Sequence, residues 1–262
     1  MNKKENLKLK MFGNLSCGLL SILLLFSFTN FSAEGDDPLK LKSAYLNKDE
    51  KKFIQNFPKT FTDFKSVFGW NDKADKPNIL YSEAYDFINY FFKLSSTSED
   101  CKEIIIKIAT QAKWEADGVN YFHINLVTLV ENDKEFNKKL ERLNNTDINT
   151  FWHFYFDIEN LVYSPKLYNI LDHQMREKAM FVYNTLKKER TNKNDINIKT
   201  YQIFDKDGYC NLRKYKSVKS DIIEKLENNA VITVLDNRDD WWFVQTKNGL
   251  VGFVHKSRIN VK

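Results

Sequence analysis

Apolar positions change their spacing along this chain of 262 residues. From about residue 41 to 190 they recur at three- and four-residue steps, the period of a helix with one buried face. Phe122, Leu126, Leu129 and Val130 fall on one such face, and Phe151, Tyr155, Ile158 and Val162 on another. The longest run, Tyr168, Leu171, Met175, Ala179, Val182 and Leu186, keeps the step for about five turns. Ser164-Pro165 starts it with a cap followed by proline at the first helical position. Ser82 with Glu83 opens another helix in a similar way, and Gly69 closes a third. The pattern predicts about six or seven helices and no strand. Two helices cannot bury this many aromatic side chains, so an all-α multi-helix bundle is expected over residues 34–190.

The stretch KKERTNKNDINIKT, residues 187–200, has no apolar period. It reads as the end of the last helix followed by a linker at 191–200. Beyond it the period drops to two. The pieces YQIF, YCNLRK, DIIEKLE, AVITVLD, WWFVQT and LVGFV are separated by turn signals such as Asp-Gly, Asp-Asn and Asn-Gly. Five to six short strands in about 60 residues imply a small β-barrel over 201–262. The expected fold class is therefore α + β as separate domains. Strand alternation sends Trp242 and Val244 to one face and their neighbours Trp241 and Phe243 to the other.

Composition supports packed cores. Hydrophobic residues make up 42% and aromatics 15%, and Phe (21) and Tyr (12) outnumber Gly (8) and Pro (4). The first 33 residues form a basic stretch, a short apolar core at 17–28 (CGLLSILLLFSF) and a step into acidic EGDDP, the layout of a secretory signal peptide. That core is shorter than the ~20 residues a bilayer span needs. Export to the periplasm or beyond is expected, with an uncleaved membrane anchor as the alternative. The formal charge is +5, of which four lysines and one glutamate in the leader carry +3. The remaining +2 makes no electrostatic case for nucleic acid. Membrane contact is expected only through the leader.

Candidate chemistry in the helical part is sparse. Cys101 and Cys210 are far apart and no CxxC occurs, so no zinc knuckle or redox pair is expected. His123, His153 and His173 show no metal-ligand spacing, and His153 sits in the aromatic run FWHFYF, which reads as core or interface. Asp100-Cys101 is similar to the nucleophile of papain-like cell-wall peptidases, but Lys-Glu-Ile-Ile-Ile follows where small residues are needed. Asp205-Lys-Asp207-Gly208 reads as a turn, since its glycine comes too early for a calcium loop. No catalytic residue, metal or cofactor is expected.

The C-terminal pieces resemble a bacterial SH3 domain. The likeness rests on Asn211-Leu212-Arg213, Ile223 to Leu226, Val231 to Leu235, Trp241 to Val244, Gly249 and Gly252-Phe253-Val254, in that order. The turns at 214–217 and 227–230 depart from the family pattern. The resemblance implies that Val244 and Trp242 face the barrel core and Trp241 looks outward. In eukaryotic relatives the outward tryptophan lines a groove for proline-rich peptides. Their groove also uses a Pro-Ser-Asn-Tyr segment, where this chain has His255 and Arg258. A ring is lost and a charge gained, which favours a peptide bearing a carboxylate. The expected ligand contacts are Trp241, Phe243, Phe253, Arg258 and Tyr215. The implied role is non-enzymatic binding of a protein or a peptidoglycan peptide. A cell-wall hydrolase or peptidase with its site hidden among the helices is the alternative, and it requires two of Cys101, His123, His153 and His173 to meet in a cleft.

Overall fold

The computed structural model describes residues 37–158, 161–193 and 200–261, with side chains described to 190 in the second stretch. The leader and most of the expected linker lie outside the described residues. Ten α-helices are found among the described residues, more than the spacing predicts. They are α1 (Pro38–Leu46), α2 (Glu50–Asn56), α3 (Phe61–Phe68), α4 (Ala84–Leu94), α5 (Glu99–Ala109), α6 (Gly118–Asn132), α7 (Lys134–Leu140), α8 (Asn145–Phe156), α9 (Pro165–Ile170) and α10 (His173–Lys193). Several start on a side-chain cap that satisfies an otherwise unpaired N–H: Thr60 for α3, Ser98 for α5, Asn144 for α8 and Ser164 for α9.

The extra helices come from breaks that a periodic count passes over. The run from Tyr168 to Leu186 is two helices. Leu171 is extended, the Asp172 carboxylate caps the Met175 N–H at 2.7 Å, and Arg176 donates to the Tyr168 and Leu171 carbonyls at 2.9 Å each. A polar cap can restart a helix without breaking the apolar spacing. The segment from Ser82 also differs from expectation. Tyr81 to Glu83 form a 3-10 turn, and no side chain caps α4. Nor is the region strand-free, since β1 (Trp70–Asn71) pairs with β2 (Lys76–Pro77). Two residues per strand are too few to show a period of two. Gly69 does close α3, and a Cβ there would sit 2.8 Å from the Lys65 carbonyl oxygen.

The bundle core is dominated by rings. Phe57 and Phe91 stack with centroids 3.6 Å apart, Phe64 meets Phe122 edge-on at 5.3 Å, and the Trp152 Nε1–H points at the Met175 sulfur at 3.3 Å. All the residues of α8 from Phe151 to Phe156 are buried except His153.

The C-terminal sheet is antiparallel, ordered β5-β4-β8-β7-β6-β3-β9. Its strands are β3 (Tyr201–Ile203), β4 (Tyr209–Arg213), β5 (Ile222–Glu227), β6 (Val231–Asp236), β7 (Trp241–Thr246), β8 (Val251–His255) and β9 (Ile259–Val261). Its inner face packs Ile203, Leu212, Leu226, Ile232, Val234, Val244 and Val254, with Trp242 half-buried against them. Gly252 lets β8 approach β4, because a Cβ there would meet the Arg213 carbonyl oxygen at 2.7 Å.

The outer face of the same strands is also buried. Leu235, Phe243 and Phe253 belong to the core cluster of the helices. The Phe243 ring meets Tyr168 at 5.8 Å and Phe253 at 5.2 Å. The register of β6 against β7 shifts between Val234 and Asp236. At this irregularity the Leu235 carbonyl accepts from the Tyr163 N–H at 2.9 Å, and the Val234 carbonyl accepts from the Tyr183 hydroxyl at 3.3 Å and Lys187 Nζ at 3.1 Å. Helices and strands thus share one continuous compact unit, Asp36–Lys262. Phe243→Ala is expected to cost roughly 3–5 kcal/mol. The loss should appear as one transition that lowers the helical circular dichroism and the tryptophan fluorescence together. A fragment starting at Thr200 should bind a hydrophobic dye, because its Leu235, Phe243 and Phe253 face water.

Candidate functional site

Alternation on β7 and β8 decides which barrel residues remain available. Trp242 turns inward and meets the Tyr201 ring at 5.7 Å. Val244 is fully buried behind it. Phe243 and Phe253 turn outward but only 4% and 7% of their surface stays exposed, because the helices cover them. These two residues are corrected from ligand contacts to interface residues. Their burial follows from the same alternation that pointed them away from the barrel core.

Trp241 sits at the rim of this interface and remains half-exposed. It is the register partner of His255, and the two rings meet edge-on at 5.4 Å. Together they border a cavity of about 430 Å³. One wall is the outer side of β4, with Tyr209 and Arg213. Ser257 and Arg258 of the 3-10 turn Lys256–Arg258 line the cavity too, as do Asp205 and Asp207 of the turn before β4. His255 fixes the 3-10 turn: its Nδ1 lies 2.8 Å from the Ser257 hydroxyl and accepts from the Ser257 N–H at 3.3 Å. Lys256 is held by Asp240 at 2.8 Å, and this partner keeps the Asp240 carboxyl below its ordinary pKa.

Arg258 lines the cavity, but its charge is already met. Its guanidinium lies 2.8 Å from the carboxylate of Asp205, a residue with only 7% of its surface exposed. Asp205 is tied down further by the Asp207 N–H at 3.1 Å and by reciprocal bonds to the Asn228 amide at 2.8 Å each. The expectation that Arg258 stands ready for a ligand carboxylate is therefore corrected. Arg213 carries the uncommitted cation. It donates to the Ser220 carbonyl at 2.8 Å, and among the described residues no salt bridge engages it. Tyr215 is 60% exposed in the adjoining loop, with Lys214 Nζ 5.4 Å from its ring centre, and it does not line the cavity.

Sequence reasoning missed Asp205, Asp207, Tyr209 and Arg213 as cavity residues. The available signal was the period of two on β4, which turns Tyr209, Asn211 and Arg213 outward while Leu212 packs into the barrel. Asp205 gave no signal, since a turn aspartate and a buried ion-pair partner look alike in a sequence.

Among the described residues Cys101, His123, His153 and His173 lie apart from one another. Cys101 is fully buried and burial pushes its thiol pKa up; Cys210, in the cavity wall, is pushed up to about 11 by burial. His123 is buried, with Nε2 2.8 Å from the Tyr155 carbonyl oxygen, and burial lowers its pKa. His153 is exposed on α8, not packed as its aromatic surroundings suggested, because it occupies the solvent side of an otherwise buried helix. His173 is exposed at the start of α10, 3.7 Å from Glu177. Among the described residues no hydrogen bond joins any two of Cys101, His123, His153 and His173, and no three metal-ligating side chains converge.

Two outcomes follow from these burials. A depressed folded pKa at His123 means the unfolded chain takes up more protons as pH falls through the unfolded value of about 6.5. Stability should therefore drop between about pH 7 and pH 5, and less so in His123→Asn, read from urea midpoints. Both thiols should resist Ellman's reagent at about pH 8 until the protein is denatured.

Residues 207–260 match the family model of the bacterial SH3 domain. No curated protein matches the chain.

Proposed function

We propose that the bacterial SH3 domain at the C-terminus acts as a non-enzymatic binding module that takes an extended peptide in the groove beside Trp241, within a protein exported to a bacterial envelope. The observation that carries this reading is the contrast between two residues on the same outward face of β7. Phe243 is sealed by the helices, whereas Trp241 stays half-exposed on a cavity whose lining mixes charged side chains, such as Asp207 and Arg213, with apolar ones, such as Val218 and Val254. A half-exposed tryptophan next to a rigid turn is the kind of anchor on which binding energy concentrates. Export rests on the leader pattern of the first 33 residues alone.

The charge pattern refines the ligand. Asp205 neutralises Arg258, so a ligand carboxylate is better received by Arg213, and a ligand amine by Asp207. A peptide carrying both charges, such as a cell-wall stem peptide or a protein segment with alternating charge, fits this polarity.

The experiment is a titration with soluble stem peptides and with a charge-scrambled peptide set, followed by tryptophan fluorescence. Trp241→Ala should lose binding by about tenfold or more with little loss of stability. Arg213→Ala should weaken binding of carboxylate-bearing peptides selectively. Trp242→Ala should cost roughly 3 kcal/mol of stability, because it leaves a hole beside the barrel core. Equal destabilisation by both tryptophan variants, with binding unchanged in a folded Trp241→Ala protein, would remove this reading.

A further inference from the structure

The hairpin loop 214–221 between β4 and β5 contains the turn where the sequence departs from the family pattern, and its Tyr215 stands outside the Trp241 cavity. The loop is closed by its own hydrogen bonds. The Lys214 N–H donates to the Asp221 carbonyl at 3.0 Å, the Tyr215 N–H to the Ser220 hydroxyl at 2.7 Å, and the Ser220 N–H to the Ser217 carbonyl at 3.1 Å. Arg213 adds its bond to the Ser220 carbonyl, and the Ser217 hydroxyl accepts from the Lys219 N–H at 3.1 Å. Ser217 and Ser220 are thus engaged in holding the loop. The side chains left most exposed to water are Lys214, Tyr215, Lys216, Val218 and Lys219.

Those side chains combine two characters. Tyr215 and Val218 keep 60% and 71% of their surface exposed, and Ile222 is exposed at the base of the hairpin. Lysines alternate with them. Lys216 is paired with Asp239 in an exposed ion pair, which holds it only weakly. Among the described residues no salt bridge engages Lys214 or Lys219. Lys214 Nζ lies 5.4 Å from the Tyr215 ring centre, so this cation is carried beside the ring and is not neutralised. Asp221 is the loop's own carboxylate, set against Lys214, Lys216 and Lys219.

The two characters together select a partner. Lysines alone would suit any polyanion, and exposed apolar groups alone would suit a protein. A hairpin tip is convex, and small beside the ~800 Å² per side of a standard protein interface. A convex tip can enter the headgroup layer of a bilayer, where its apolar groups leave water and its lysines meet lipid phosphates. Lysine stems suit that depth, since they bury their methylenes and keep the ammonium at the polar level. We infer that the 214–221 loop docks the barrel on a bilayer rich in anionic phospholipid, a membrane contact separate from the leader. Val218 also borders the Trp241 cavity, so a docked loop places that groove at the membrane surface.

The test is co-sedimentation with phosphatidylcholine vesicles, with and without about one third phosphatidylglycerol. The protein is used after leader removal, as residues 34–262, which hold the whole compact unit Asp36–Lys262. Binding is expected on the anionic vesicles and not on phosphatidylcholine alone. It should fall as salt rises from about 0.1 M to about 1 M, where the screening length shortens from about 10 Å to about 3 Å. Lys214→Glu with Lys219→Glu should weaken it more than tenfold, at about fivefold for each lysine lost near the surface. Tyr215→Ser should weaken it about fivefold by removing an apolar group that enters the headgroup layer. These positions are exposed, so an unchanged melting temperature should mark the variants as folded. Trp241→Ala should leave vesicle binding unchanged, which separates failure here from failure of the groove. Absence of binding to the anionic vesicles, or equal binding to both vesicle types, would overturn the inference. So would full binding by the lysine variant or loss of binding with Trp241→Ala. Polyphosphate binding as tight as vesicle binding, with no loss in Tyr215→Ser, would also overturn it in favour of a soluble polyanion.

Discussion

The structure depends on β7 being a wall between two cores. Val244 and Trp242 fill the barrel on one side, and Phe243 fills the helical bundle on the other. A strand buried on both faces belongs to neither layer alone. Phe243 and Phe253 are the points where aromatic packing crosses from strands to helices, through Tyr168. The polar contacts reinforce this at the β6 irregularity, where two successive carbonyls accept from Tyr163, Tyr183 and Lys187. Buried acceptors that lose such partners carry a desolvation cost, so the joint is specific in register as well as apolar.

That joint sets what the barrel can offer to other molecules. The helices occupy the outer side at Leu235, Phe243 and Phe253, and among the described residues a concave surface is left beside them, bordered by Trp241, β4 and the 3-10 turn. The helices also hold this surface in place, because the strand that presents Trp241 continues directly into Phe243. A groove carried on a strand fixed from both sides is pre-organised, and less ordering remains to be done when a ligand arrives.

One charge pair of the groove, Asp205 with Arg258, is closed within the protein. Asp205 is buried, hydrogen-bonded to backbone and amide groups, and paired with Arg258. Removing either partner would strand a charge, which makes this pair a structural clamp on the 3-10 turn more than a recognition element. Arg213 is left as the cation with capacity to spare.

The sequence by itself determined the elements that depend on local patterns. A period of 3.6 gave the bundle, a period of two gave the barrel, and the ordered motifs from Asn211 to Val254 gave the family of the C-terminal domain. The opposite facing of Trp241 and Trp242 was also legible, because strand alternation is a property of the backbone. Helix breaks were less so: Asp172 caps a new helix without disturbing the apolar spacing from Tyr168 to Leu186. What covers the outward face of β7 was not legible at all. A sequence marks Phe243 as apolar and outward, which describes a ligand contact and a buried interface equally well, and packing against Tyr168 selects the second. Arg258 is the polar counterpart. Its charge looks spare in the sequence, and only the fold brings Asp205, more than fifty residues earlier, within 2.8 Å, because ion pairing depends on distance in space.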